Sequence, residues 1–211
     1  MFNTVRLFTT VNIKMASKER IQRLKEETKS NILDAAFQIA KEESWQALSM
    51  RKIADKIEYT APIIYEYFSN KEAILSELTR KGYVMLSTKL EEAKAKHRVP
   101  AKQLEAMWLA YWSFAFAQKE LYQLMFGVEM NCCVMENEDP EMQAPAILFS
   151  NVIQELMGID DEDEICMKYY TFWSVVHGLI SINIVRKGAG DDINKQVLKD
   201  AIIGIINSIK P

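Results

Sequence analysis

Along most of this chain apolar residues recur at three- and four-residue intervals, the period of helices with one buried face. The segment Ala16–Glu43 starts polar and becomes amphipathic, with Ile32, Leu33, Ala36, Phe37 and Ala40 on one stripe. A short break at Ser44–Leu48 follows. Ser49 is then placed to cap a brief helix, Met50–Ile57, whose inward face is Ile53, Ala54 and Ile57. Thr60 caps a second short helix, Ala61–Phe68, with Pro62 tolerated in its first turn. Ser69 and Glu72 have the spacing of a capping box, which predicts a long helix over about Asn70–His97. At a rise of ~1.5 Å per residue such a helix spans roughly 40 Å. Pro100 ends it.

Beyond Pro100 the pattern is greasier. A helix is predicted over Ala101–Gln118 and a short one over Lys119–Phe126, followed by an irregular connection, Gly127–Pro145, that contains Asp139-Pro140. A helix over Pro145–Met157 stops at Gly158, and the acidic run Asp160–Glu164 suits the start of the next one through its dipole. That helix extends to about Lys187, where Gly188 and Gly190 interrupt, and a last helix covers Asp191–Ile209. The expectation is an all-α chain of about nine helices without internal repeats. A three-helix N-terminal domain over 16–70 precedes a helical bundle over 71–211, and 1–15 is a disordered tail or lies upstream of a true start at Met15.

Composition agrees with short connections between helices, since only 7 Gly and 5 Pro are present. Of the three cysteines, Cys132 and Cys133 are adjacent and Cys166 stands alone. That is no disulfide framework, and free thiols suit a cytoplasmic protein. No run reaches the ~18 uninterrupted apolar residues of a membrane span; Phe172–Val185 comes nearest and is broken by His177, Ser181 and Asn183. Enzymatic readings fare badly. The two histidines, His97 and His177, belong to no Glu-x-x-His pair, and no Gly-rich phosphate loop, H-E-x-x-H or nucleophile elbow occurs. Neither a metal nor a cofactor is expected.

The stretch Leu48–Leu75, LSMRKIADKIEYTAPIIYEYFSNKEAIL, gives two short helices on a tight link. Each is too small to be stable alone, so both must lean on the helices before and after. This is a helix-turn-helix layout, whose second helix can lie in the DNA major groove, although plain helical proteins contain such units too. Thr60, Tyr65 and Tyr67 place hydroxyls along the second short helix, suited to phosphate oxygens. Lys71, in the first turn of the long helix, opposes the helix dipole, and a nearby phosphate supplies a reason for it. Arg51 can read guanine or simply be solvated. Ala61, Pro62 and Ile63 suit van der Waals contact with thymine methyls.

The net charge of −3 argues mildly against nucleic acid, but the charge is unevenly spread. Lys14, Lys18, Arg20, Arg23, Lys25 and Lys29 face only Glu19, Glu26 and Glu27 between Lys14 and Lys29. That basic arm can lie along a phosphate backbone or be an ordinary solvated helix end. The acidity sits at Glu136–Glu141 and Asp160–Glu164.

Over about Lys25–Leu78 the chain resembles the DNA-binding domain of the TetR family. Its pattern is met by Ser49, Ile53, Ala54, Tyr65, Tyr67, Phe68, Asn70, Lys71 and Glu72. Glu58-Tyr59 stands where most members have Gly-Val in the turn, and Pro62 where many have Gly. The resemblance implies a DNA-binding regulator, a repressor in most of the family, with Lys29 and Ser49 joining the contact set. It also implies release by a small apolar inducer and a homodimer formed through the last two helices. A two-fold dimer reads two half-sites about 34–36 Å apart, so the operator is expected to be partly palindromic.

Aromatic residues and methionines gather after Pro100. Met107, Trp108, Tyr111, Trp112, Met125, Phe126, Trp173 and His177 are the candidate ligand-binding residues, the lining of an adaptable apolar pocket or, for most, plain core. The run Trp173-Ser-Val-Val-His177-Gly178 resembles the Trp-His-Gly signature of one C-terminal class of the family, as does Leu121-Tyr122-x-Leu124-Met125-Phe126. Gly178 inside a helix calls for close approach of another helix, within the protomer or across a dimer. Ile180, Ile184, Val185, Val197, Ile202, Ile205, Ile206 and Ile209 offer apolar surface for that dimer. The competing reading is a helical structural or signalling adaptor without DNA binding.

Overall fold

A computed structural model describes residues 3–127, 139–186 and 190–209. The described residues form nine helices: α1 Asn3–Glu42, α2 Met50–Lys56, α3 Ala61–Tyr67, α4 Lys71–Lys94, α5 Pro100–Ala117, α6 Lys119–Phe126, α7 Pro140–Met157, α8 Glu162–Arg186 and α9 Asp191–Ile209. The chain divides into two compact units, Met1–Leu75 and Ser76–Pro211, with the division inside α4. Residues 128–138, including Met130, Cys132 and Cys133 of the expected connection, lie outside the described set, as does Gly188.

The first unit is built around Ile32, Leu33, Ala36 and Ile39 of α1, which meet Ile53 and Ala54 of α2, Ile64 of α3, Phe68 and Ile74 in one buried core. Ile57, expected inside, is only half-buried, because α2 ends one residue earlier and leaves it at the C-cap. Ser49 caps α2 as expected, its hydroxyl accepting from the Lys52 amide at 3.2 Å. Thr60 occupies the N-cap of α3 but makes no side-chain cap bond. The expected Ser69 capping box is replaced by Asn70, whose Oδ1 accepts from the Ala73 amide at 2.8 Å. Both residues can cap, and the entry path of the chain selects the second.

Glu58 takes the position the family usually gives to glycine, and it does so in the left-handed region, at φ 58°. It is the residue after the α2 C-cap in a Schellman arrangement, with the Tyr59 amide donating to Ala54 O at 2.9 Å and the Glu58 amide to Asp55 O at 3.4 Å. A left-handed L-residue costs ~1–2 kcal/mol, of which glycine's larger unfolded-state entropy returns only part. Glu58→Gly is therefore expected to stabilise the first unit by about 0.5–1 kcal/mol, measured by denaturant unfolding; a destabilised variant would show that the Glu58 side chain contributes more than its backbone costs.

In the second unit, Leu104, Met107, Trp108 and Tyr111 of α5 pack with Phe149, Val152 and Ile153 of α7 and with Phe172, Val176 and Ile180 of α8; α9 closes the bundle through Leu198, Ile202 and Ile206. The start of α7 differs from expectation. Asp139 caps it by accepting from the Glu141 amide at 2.9 Å, Pro140 follows in the first turn, and Pro145 lies inside the helix. Asp-Pro is thus a start signal rather than loop chemistry. Gly158 ends α7 in the left-handed conformation at φ 67°, as its position predicts. Arg80 of α4 bonds Glu77 at 2.9 Å and Glu141 of α7, tying the two helices together. Between α8 and α9 the buried Asn194 donates to Asn183 Oδ1 at 2.5 Å, and Asn183 donates to Leu179 O at 2.8 Å.

The surface expected for self-association divides in two. Ile180, Ile202, Ile206 and Ile209 are buried within the protomer, so they belong to its core. Val185 and Val197 are exposed, together with Val175, Ile182 and Ile193. A Cβ at Gly178 or Gly204 would meet nothing within 4 Å, so no described helix of the same protomer approaches either. Val175, Gly178, Ile182 and Val185 thus form one stripe on α8 at coiled-coil-like spacing, and Ile193, Val197 and Gly204 one on α9. No helix among the described residues is long and apolar enough to cross a membrane.

Candidate nucleic-acid interface and ligand site

The first unit presents its two short helices on a rigid core. On α2 the basic residues differ in what they face. Lys52 pairs with Glu43 at 2.5 Å and Lys56 with Glu42 at 2.7 Å, both at the end of α1. Arg51 is exposed and has no carboxylate partner among the described residues, so its donors stay uncommitted. Tyr65 on α3 is 54% exposed. The Thr60 hydroxyl is exposed and makes no hydrogen bond, Tyr67 is half-buried, and Ser49, having accepted a bond, keeps its own proton to donate. Pro62 is exposed, while Ala61 and Ile63 are partly so.

Lys71 and Lys29 carry a structural burden as well. Lys71 Nζ donates to the backbone oxygen of Trp45 at 2.9 Å. That bond gives an intramolecular reason for a cation at a helix N-terminus, where the sequence suggested only a phosphate. Trp45 is buried, with its ring 6.2 Å from that of Phe37. It was missed because it falls in the break between two helices, where periodicity carries no information. Lys29 lies over the Phe68 ring, 5.6 Å from its centroid. Further along α1, Lys18, Arg20 and Lys25 are exposed, and Arg23 approaches Glu27 at 3.8 Å.

In the second unit five of the candidate ligand residues, Trp108, Tyr111, Phe126, Trp173 and His177, form a continuous aromatic cluster with partners the sequence did not single out. Trp108 is fully buried, stacked on Phe149 at 3.8 Å and near Tyr111 at 5.5 Å and Phe172 at 5.7 Å. Trp173 stacks on His177 at 4.9 Å, and Phe126 sits 5.9 Å from the same imidazole. Met107 is buried, whereas the Trp112 ring lies 4.6 Å from that of Phe116, tilted at 49°, instead of joining the cluster. Met125 is buried where α4 comes closest: a Cβ at Gly82 would stand 2.5 Å from its sulfur.

A hydrogen-bonded chain runs through these rings. Trp173 Nε1 donates to Tyr111 Oη at 3.1 Å, Tyr111 Oη lies 3.3 Å from Tyr122 Oη, and Tyr122 Oη lies 2.6 Å from His177 Nδ1. Tyr122, the link in the middle, stands in the segment matched to the Trp-His-Gly class but was not among the candidates. Burial pushes the Tyr111 and Tyr122 hydroxyls up and the His177 imidazole down from their ordinary values. All three groups are therefore neutral near pH 7.

Among the cavities of the described residues, two open on this unit beside these elements. One, of about 630 Å³, is lined by α7 and α8 residues including Ser150, Gln154, Cys166 and Tyr169. The other, of about 590 Å³, lies between α4 and α5 and includes Val84, Met85, Lys96, Ala110 and Phe114. None of the eight candidate ligand residues lines either one. The cluster meets the first cavity through Tyr169, whose ring is 6.3 Å from Trp108.

Comparison with known proteins follows the same division. Residues 32–78 match a family model described as bacterial regulatory proteins, tetR family, and residues 104–198 match one described as a tetracyclin repressor-like C-terminal domain. Among solved structures, the chain is similar to a protein of unknown function from Rhodococcus sp. RHA1, at 20% identity and a TM-score of 0.74, covering 87% of this chain and 95% of that one. It is also similar to the fatty acid degradation regulator FadR from Bacillus halodurans, at 16% identity and TM-score 0.65, over 86% of this chain and 93% of the other. A TetR family transcription regulator from Marinobacter aquaeolei VT8 is similar over 89% of this chain and 98% of its own, at 13% identity and TM-score 0.62. At these identities the likeness is one of fold. No curated protein matches the chain.

Proposed function

The chain belongs to the tetR family of bacterial regulatory proteins and is a DNA-binding regulator of transcription, and on that premise we propose that it is a homodimeric repressor of a partly palindromic operator, released by a small apolar ligand in its second unit. The observation that carries the DNA-reading part is the uncommitted surface of α2 and α3: Arg51 without a carboxylate, Thr60 without a cap bond, and an exposed Tyr65. Such groups donate to phosphate and fix register, while Ala61, Pro62 and Ile63 touch base edges and select sequence. The exposed stripes on α8 and α9 support the dimer. The aromatic cluster supports the ligand site, and its Trp173–His177 stack supports placement in the Trp-His-Gly class. Release works by population shift, in which the ligand favours a conformer poorly matched to the half-site spacing, and α4, which runs across both units, transmits it.

The test is titration of the dimer with operator and random duplexes at two salt concentrations. Tyr65→Phe is expected to weaken binding to every duplex about tenfold, the size of one hydrogen bond to a charged group. Substitutions at Ala61, Pro62 or Ile63 are expected to change which base pairs are preferred, by about 1–3 kcal/mol at the affected position. Uniform effects from both sets would contradict the division of roles, and affinity independent of salt would contradict phosphate binding altogether.

A further inference from the structure

The hydrogen-bonded chain from Trp173 to His177 has only one arrangement of protons that leaves none of its own buried donors idle. An indole N–H only donates, so Trp173 uses a lone pair of the Tyr111 oxygen. Tyr111 then has one proton, and Tyr122 is its only other partner among the described residues. If Tyr111 donates to Tyr122, Tyr122 donates to His177 Nδ1, and every hydroxyl gives one bond and receives one. In the reverse arrangement His177 Nδ1 donates to Tyr122 and Tyr122 to Tyr111. The Tyr111 oxygen then receives two bonds while its own proton has nowhere to go, at a position only 2% exposed. An unmet buried donor costs ~1–3 kcal/mol, so the first arrangement wins.

Its consequence lies at the ends of the chain. With Nδ1 accepting, the neutral His177 ring carries its proton on Nε2, which makes no hydrogen bond with another described residue. Trp108 Nε1, also a pure donor, is buried without a hydrogen-bond partner among the described residues of the same cluster. The hydrogen-bonding capacity left over at these two rings is thus donor capacity. No lysine, arginine or carboxylate is among the rings and hydroxyls in contact here, and burial alone, with no neighbouring charge, accounts for the lowered basicity of His177. A charged group placed among these rings would be desolvated with nothing in contact to compensate it; the carboxylates of Asp160 and Glu162 line the cavity beyond Tyr169 instead.

We propose that the ligand of this site is an apolar molecule whose polar group is a neutral hydrogen-bond acceptor, a carbonyl or ether oxygen, taken by the Nε2–H of His177. This rests on the reading that the aromatic cluster of the second unit is the ligand site. The rings of the cluster pack against one another, so a ligand enters by displacing them, and the cavity bordered by Tyr169 is the adjoining open space.

Two measurements on the full-length protein test it. Nitrogen-15 NMR of the histidine rings is expected to give His177 as the neutral Nε2–H tautomer, and Tyr122→Phe is expected to shift that signature. An Nδ1–H tautomer overturns the proposal. Tryptophan fluorescence titrations then compare three probes of one shape: 2-acetylnaphthalene, 2-ethylnaphthalene and 1-(2-naphthyl)ethylamine. The ketone is expected to bind about tenfold or more tightly than the hydrocarbon, with the amine weakest, and the ketone's advantage is expected to vanish in His177→Phe. Equal affinity of ketone and hydrocarbon, preference for the amine, or no binding by any probe overturns it. A ketone that binds preferentially without loosening operator DNA leaves this inference standing and removes only the release mechanism.

Discussion

Ile182→Glu combined with Val185→Glu is expected to leave a folded monomer that no longer holds its operator. The two side chains are 56% and 78% exposed, so their replacement leaves the protomer core untouched and should change its stability by no more than about 0.5 kcal/mol. In a two-fold dimer each position occurs twice on one self-complementary patch. Four buried aliphatic side chains are therefore lost, each worth ~1.5–3 kcal/mol, and four carboxylates must be desolvated without partners. Even the low end, about 6 kcal/mol, raises the dimer dissociation constant by about four decades. Operator affinity is expected to fall at least about a hundredfold, because a single reading head engages a single half-site. Sedimentation measures the first effect and gel mobility the second. A variant that stays dimeric at micromolar concentration would place self-association on another surface. The control is Ile202→Glu: that residue is fully buried within the protomer, so the variant should fail to fold rather than dissociate.

The contrast between Ile182 and Ile202 shows what the sequence could and could not supply. Periodicity marks α9 as apolar, but a helix packed on its own protomer and offered to a second copy carries two stripes, and composition cannot say which is which. The open space beside Gly178 and Gly204 marks the stripe that the described helices of the protomer leave uncovered. Helix ends were legible wherever one residue alone could do the job, as with Ser49 and Gly158. They were not where two neighbours competed, as with Ser69 and Asn70, or where a start signal resembled a turn, as at Asp139-Pro140. The aromatic residues of the second unit were visible as a group. Their hydroxyl chain was not, since Tyr111, Tyr122, Trp173 and His177 come from three helices and meet only through tertiary packing. The candidate DNA-contacting set was read from a local motif, so its residues fall on the expected elements, yet the inward bond of Lys71 depends on Trp45, 26 positions away.

That bond sets the second large effect. Lys71→Ala is expected to destabilise the first unit in the absence of any DNA. Two terms oppose each other. Removing a cation from the first turn of α4 relieves its conflict with the helix dipole, a gain of ~0.3–1 kcal/mol. Removing the donor from the Trp45 carbonyl forfeits a hydrogen bond from a charged group, worth ~1.5–3 kcal/mol, beside a buried ring. The second term is larger, so a net loss of about 1–2 kcal/mol should appear in denaturant unfolding. Lys71→Arg, which keeps a charged donor of similar reach, should recover most of it. If Lys71→Ala were as stable as the parent or more so, while binding all duplexes more weakly, the lysine would serve phosphate alone. If it were less stable and bound DNA with the parent's affinity once folded, its work would be entirely internal, and the phosphate-contacting set would shrink to the hydroxyls of α3 and the basic residues around them.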